Sequence, residues 1–155
     1  YLSYNDPLTE LFNRRYFNRM ADHLDASEAS LPLGLIIGDM NDLKEVNDQF
    51  GHQLGDQYLI EIAKIMKRVA GELPVFRLGG DEFAILMKNA TDQKLSDMCE
   101  HIAIACKEVK IGSRPLSIAV GYEIKNSMET NIDEIFALAE SKMYKMKNAA
   151  KANKK

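Results

Sequence analysis

The stretch Val75-Phe76-Arg77-Leu78-Gly79-Gly80-Asp81-Glu82-Phe83-Ala84-Ile85-Leu86 limits the folds open to this chain more than any other. Two apolar runs flank a Gly-Gly pair, the pattern of two strands joined by a tight turn. Gly79 and Gly80 accept positive φ and leave room for another molecule to approach the backbone. Asp81 and Glu82 follow at once, and a buried strand start carries acids only where something positive meets them. Taken alone, the segment reads better as a surface hairpin with solvated carboxylates. The rest of the chain decides between the two.

A turn at Asp6-Pro7-Leu8-Thr9 leads into helical spacing of Leu11, Phe12, Arg15, Tyr16, Met20 and Leu24, which predicts a helix over 11–26. A linker from Ser27 to Pro32 precedes Leu33–Ile37, a continuous apolar run that reads as a buried strand ending at Gly38-Asp39. Leu43, Val46 and Phe50 fit one side of a short helix. Residues 51–56 read as a turn opening a long helix on Leu59, Ile62, Ala63, Met66 and Val69, closed by Gly71. The hairpin strands are Leu73–Phe76 and Phe83–Met87. Asp92 is placed to cap a helix through Leu95, Met98, Cys99, Ile102, Cys106 and Val109. Leu116–Tyr122 alternates as a strand does, and Asn131 or Asp133 starts a last helix before a basic tail, Lys145 to Lys155, expected to fray. The middle of this order is β-α-β-β-α-β, the ferredoxin-like split βαβ. The fold class is therefore α+β, a central and mostly antiparallel sheet flanked by helices.

At 155 residues the chain is expected to form a single domain spanning 1–155. A net charge of −3 gives no ground for nucleic-acid or membrane binding by bulk electrostatics. No run approaches the ~20 apolar residues of a spanning helix. The chain opens on Tyr1 rather than Met, so a piece of a longer protein is expected. Cys99 and Cys106, seven apart on a helix, would lie ~10 Å from one another, too far to bridge. They read as core thiols of a reducing compartment, and a cytoplasmic location is expected.

In this topology the strand ending at Asp39 is central and lies beside the Gly79-Gly80 turn, so Asp39, Asp81 and Glu82 should converge. Carboxylates so close raise one another's pKa, and a divalent cation resolves the conflict. Mg²⁺ is commonly held by one or two carboxylates plus substrate phosphates. An EF-hand fails as a rival, because Leu43 stands at its third ligand position and no glycine follows. Lys44 can reach a phosphate on the same ion, or is an ordinary solvated lysine. Asn47, Asp48 and Asp56 cluster around a turn with His52; an amide and a carboxylate there can read a guanine edge, or act as caps and turn formers. His52, between two glycines, reads more readily as a structural hydrogen-bonder than as an acid–base catalyst. Lys147 and Lys151, one helical turn apart, either present two cations to a triphosphate or complement a helix C-terminus.

With these residues in view the chain resembles the GGDEF family, the diguanylate cyclases of bacteria. The resemblance is carried by Gly79-Gly80-Asp81-Glu82-Phe83 after Arg77-Leu78, by Asp6-Pro7-Leu8-Thr9 with Asn13-Arg14-Arg15, by Asp39, Lys44, Asn47-Asp48 and Gly51-His52-x-x-Gly55-Asp56, and by Ala139, Met143-Tyr144 and Lys147. It implies a palm-like core similar to nucleotidyl cyclases, and condensation of two GTP into cyclic di-GMP with release of two pyrophosphates across a homodimer. By that resemblance Asp39 and Asp81 hold Mg²⁺ or Mn²⁺ with the Met40 carbonyl and Glu82. Asn47 and Asp56 recognise guanine, Lys44, Lys147 and Lys151 hold phosphates, and Gly79 and Gly80 give the nucleotide access. It also implies that Asp6 pairs with Arg14 and that a sensory domain lies upstream. The chain departs from the family at Glu10 (usually glycine), Asn41 (often aspartate), Ala150-Lys151 (usually Gly-Arg), and at Ala70 and Leu73, where many members carry an Arg-x-x-Asp product-inhibition motif. The competing expectation is a catalytically silent module that binds GTP or cyclic di-GMP for regulation or dimerisation.

Overall fold

Leu33 to Met40 form a strand in which every residue is buried, including Asp39. Burial on both faces explains the continuous apolar run, since each face packs against its own helical layer. The computed structural model describes residues 3–152; what was expected before Tyr1 and at the end of the basic tail lies outside the described residues. In chain order the elements are α1 (Arg14–Asp25), β1 (Leu33–Met40), α2 (Leu43–Phe50), α3 (His52–Ala70), β2 (Val75–Gly79), β3 (Glu82–Met87), α4 (Asp92–Glu108), β4 (Lys110–Ile111), β5 (Arg114–Pro115), β6 (Ile118–Lys125) and α5 (Ile132–Ala152). A one-turn 3₁₀ helix, Glu28–Ser30, interrupts the expected linker.

The main sheet has the order β2-β3-β1-β6, with β1 antiparallel to both β3 and β6 and β2 antiparallel to β3. This is the predicted ferredoxin-like order, with β1 central. On one face Ile36, Met40, Phe83 and Ile85 pack against α3 and α4 through Ile62, Met66, Leu95 and Ile102. On the other, Leu35, Ile37, Ala84 and Leu86 meet Phe17 and Ala21 of α1 and Ile135, Ala139 and Met143 of α5. The core motif supplies α3 and α4, and the chain ends supply α1 and α5. Each fully buried Leu, Ile or Phe contributes about 1.5–3 kcal/mol.

Several boundaries move. α1 begins at Arg14 rather than residue 11, because the Asn13 side chain accepts the Tyr16 amide as an N-cap and Phe12 is held by backbone bridges to Asn5 and Phe76. β1 continues through Asp39 to Met40, so Asp39 is inside the strand. Residues 52–56 are already helical, and only Gly51, at φ 89°, turns the chain. Phe50 faces solvent, 56% exposed, and does not join the α2 stripe. Thr91 caps α4 in place of Asp92. The last sheet strand runs 118–125, and the short β4–β5 hairpin ahead of it was not foreseen. The tail is helical to Ala152. Cys106 is buried and Cys99 half-buried on α4; burial pushes both thiols up to about 12, which leaves them inert.

Candidate functional site

The Gly79-Gly80 turn has positive φ at both glycines, 151° and 48°, and open space where a Cβ would sit. The register slips between Arg77 and Gly79, a bulge that re-aims the turn. β1 pairs with β3 so that Asp39 stands opposite Glu82, and the Met40 amide donates to the Asp81 carbonyl at 3.0 Å. Acids 42 positions apart in sequence thus meet at one end of the sheet.

Arg77 holds that turn. Its Nε and Nη2 donate to the Gly80 carbonyl at 3.0 and 2.8 Å, and its Nη1 donates to both Asp6 carboxylate oxygens at 3.2 Å. Asp6 also accepts from the Thr9 amide and hydroxyl. The expected Asp6–Arg14 pair does not form. The bridges of Phe12 to Asn5 and Phe76 lay the Asp6 turn against β2, while Arg14 bonds Asn18 and covers the Phe136 ring. Glu10, where the resemblance expects glycine, sits at φ 64°, a left-handed conformation that glycine adopts without strain.

Burial and the neighbouring Asp81 carboxyl push the Asp39 pKa up to about 6, against the opposing pull of Lys147. The Lys147 Nζ donates to Asp39 Oδ1 at 2.9 Å and to the Met40 carbonyl at 3.2 Å. Burial raises the Glu82 pKa too, and the charges of Glu140 and Asp39 add to it. Glu82, opposite Asp39 in the register, does not close a cage: among the described residues no group of three His, Cys, Asp or Glu side chains is arranged to hold a metal. What converges is two carboxylates and one carbonyl, with a side-chain ammonium already seated on two of their oxygens. A hard-oxygen set of that size, open on one side, fits Mg²⁺ or Mn²⁺ that keeps waters and substrate phosphates as its other ligands.

The open side is a cleft of about 520 Å³ lined by Met40, Lys44, Asp48, Asp81, Lys147 and Lys151, among others. Three lysines with an acidic floor suit a polyanion carried with its cation. Asn47, His52 and Asp56 do not line this cleft. His52 and Asp56 are exposed on the first turn of α3. Asn47 Oδ1 is buried with no hydrogen-bond partner and points at Gly55, where an added Cβ would lie 1.9 Å from it. Asn41 Oδ1 is a second orphan, while its Nδ2 donates to Ser117 Oγ at 2.8 Å. A larger cleft, about 670 Å³, lies toward the other end of β3 among Leu24, Leu73, Val75 and Leu86, away from these acids.

The sequence reading missed the parts that hold the site. Arg77 is one. Arg114 is another, tying β5 to the start of α2 by ion pairs to Asp42 and Glu45 at 3.5 Å. Gly121 is the third: a Cβ there would lie 2.4 Å from Met143 N and 2.5 Å from Ala139 O, so α5 rests directly on the β6 backbone. A glycine inside an alternating strand was the available signal for it.

The family model described as "Diguanylate cyclase, GGDEF domain" matches residues 3–153. The "Probable diguanylate cyclase DgcT" of Escherichia coli K12 is 28% identical over 158 residues, covering 97% of this chain and 35% of the relative. "Diguanylate cyclase DgcM" of the same organism is 29% identical over 153 residues, covering 94% and 36%. The chain thus spans about a third of the length of the curated relatives it matches. Among solved structures, the GGDEF domain of DgcB from Caulobacter crescentus, in complex with c-di-GMP, superposes with a TM-score of 0.86 at 25% identity, covering 96% of this chain and 92% of that one.

Proposed function

Because this chain belongs to the diguanylate cyclase GGDEF domain family, we propose that it condenses two GTP molecules into cyclic di-GMP, one nucleotide per protomer of a homodimer. The observation that carries this reading is the approach of Asp39, across the β1–β3 pairing, to Asp81, which lines a cleft walled by Lys44, Lys147 and Lys151. The 3′-hydroxyl of one GTP attacks the α-phosphorus of the other, pyrophosphate leaves, and the reciprocal attack closes the ring. Asp39, Asp81 and the Met40 carbonyl would hold Mg²⁺ or Mn²⁺. Such an ion, when bound, neutralises phosphate charge and activates the attacking hydroxyl.

The chain's own residues do the rest. The lysines bind the β- and γ-phosphates, and Gly79 and Gly80 let the nucleotide lie against the backbone. Glu82 places further negative charge beside the ion and, through its raised pKa, is suited to take the hydroxyl proton. The Asn47 oxygen, buried against Gly55 without a partner, would accept from a guanine edge once its side chain turns outward, with Asp56 on the adjoining helix turn as second acceptor and Asp48 and His52 at the margin. Each protomer holds only one substrate, so turnover needs two copies face to face. The domain is read as the output part of a longer cytoplasmic sensor protein, without product feedback at Ala70 and Leu73.

The test is incubation with GTP and Mg²⁺ over a range of protein concentrations, with product resolved by chromatography. Cyclic di-GMP should form, with specific activity rising with protein concentration. Asp81→Asn should lower the rate by at least about a hundredfold, the scale of losing one electrostatic stabiliser of a transition state. No product at high concentration, or an unimpaired Asp81→Asn, contradicts the reading.

A further inference from the structure

Lys147 occupies oxygens that the metal reading also needs. Its ammonium lies 2.9 Å from Asp39 Oδ1 and 3.2 Å from the Met40 carbonyl. Mg²⁺ takes oxygens at about 2.0–2.1 Å, so an ion on that pair of atoms would stand close beside the ammonium, and repulsion between the two cations opposes joint occupation. We infer that Lys147 is the resident counter-cation of the acid pair before nucleotide binds, and that it leaves Asp39 for the polyphosphate when metal and nucleotide arrive together. The inference rests on reading the cleft as a metal–triphosphate site.

Packing favours the exchange. Ile135, Ala139 and Met143 form the buried stripe of α5, and Lys147 is the next position on it. Gly121 seats this stripe on β6 with no slack, so the helix is fixed and the flexible lysine stem is what can move. The same side chain lines the cleft beside Lys44 and Lys151, where a phosphate would lie. Without Lys147, Asp39, only 6% exposed, would face Asp81 with no cation. The consequence is linkage. Free metal must displace the ammonium, whereas metal arriving with a triphosphate gives the ammonium a new partner, so metal and nucleotide strengthen each other's binding.

The test is direct binding of Mn²⁺ to the nucleotide-free domain, with free Mn²⁺ counted by electron paramagnetic resonance. Lys147→Gln should bind Mn²⁺ about tenfold more tightly than the unaltered protein, within the usual range for coupled sites. Lys151→Gln removes an equal charge from the same cleft at an exposed position, without a contact to Asp39, and should change affinity by less than about twofold. Lys147→Arg keeps the charge and should also stay within about twofold, which covers the case in which the glutamine variant folds poorly. With α,β-methylene-GTP present, the mutual strengthening of Mn²⁺ and nucleotide should shrink in Lys147→Gln. Equal gains in Lys147→Gln and Lys151→Gln, no gain in Lys147→Gln, or a tenfold gain in Lys147→Arg would overturn the inference. These are binding readouts, so a domain that makes no cyclic di-GMP yet shows the exchange removes the catalytic reading and leaves this one standing.

Discussion

Arg77 divides its guanidinium between the Gly80 carbonyl and the Asp6 carboxylate, so one side chain fixes the glycine turn to the segment before α1. Arg77→Lys keeps the charge and loses the fork, and should cost about 1–3 kcal/mol in urea unfolding. Burial acts to raise the Asp6 pKa, but the bonds from Thr9 and Arg77 outweigh it and hold the carboxyl below its ordinary 3.8. The folded protein therefore binds fewer protons at Asp6 than the unfolded chain does. The stabilisation is complete above 3.8 and is lost as pH falls through the folded value. Asp6→Asn should flatten that part of the acid limb in urea midpoints measured against pH; an unchanged limb counts against the clasp. Gly55→Ala tests Asn47: the new methyl would meet the tip of a flexible amide, so the fold should survive while GTP affinity drops about tenfold, the worth of a hydrogen bond to the base. Calorimetry with GTP reads it, and undiminished affinity argues that Asn47 does not touch guanine. The sequence carried the identity of these acids and amides but not their partners, because the Asp6–Arg77 bond spans 71 positions and no local spacing encodes it.

At the scale of elements, the β-α-β-β-α-β order was legible because each apolar run has the period of its own structure. The central place of β1 followed from topology. Strand and helix ends were harder to read. Asp39 lies inside β1 because cross-strand pairing with β3 and β6 continues past the apolar residues, and composition alone stops at Ile37. The β4–β5 hairpin has two-residue strands, too short for any periodicity to appear. The seating of α5 depends on Gly121, and here the structure makes a firm demand. Gly121→Ala drives a methyl into the backbone of Ala139 and Met143, which cannot rotate away. It should cost about 1–3 kcal/mol in urea unfolding and carry Lys147 away from Asp39, weakening GTP binding beyond what the stability loss explains. A variant of normal stability and normal GTP affinity would show that α5 has room to adjust.

For the molecule as a whole, Asp39 of β1, Asp81 of the β2–β3 turn, the Met40 carbonyl and three lysines gather at one end of the sheet, and in the proposed reading they form half of a reaction centre whose other substrate comes on a second copy. The glycine–acid signature was plain in the sequence, and so was its meeting with Asp39. The occupation of that meeting point by Lys147 was not, because it joins positions 108 apart through a helix packed on the opposite end of the chain. The most direct measurement is an anomalous difference map from crystals of the domain grown with Mn²⁺ and α,β-methylene-GTP. A manganese peak bounded by Asp39, Asp81 and the Met40 carbonyl is expected, with the triphosphate along Lys44, Lys147 and Lys151. Nucleotide bound elsewhere, or bound in this cleft with Lys147 still on Asp39 and no manganese peak, would contradict it.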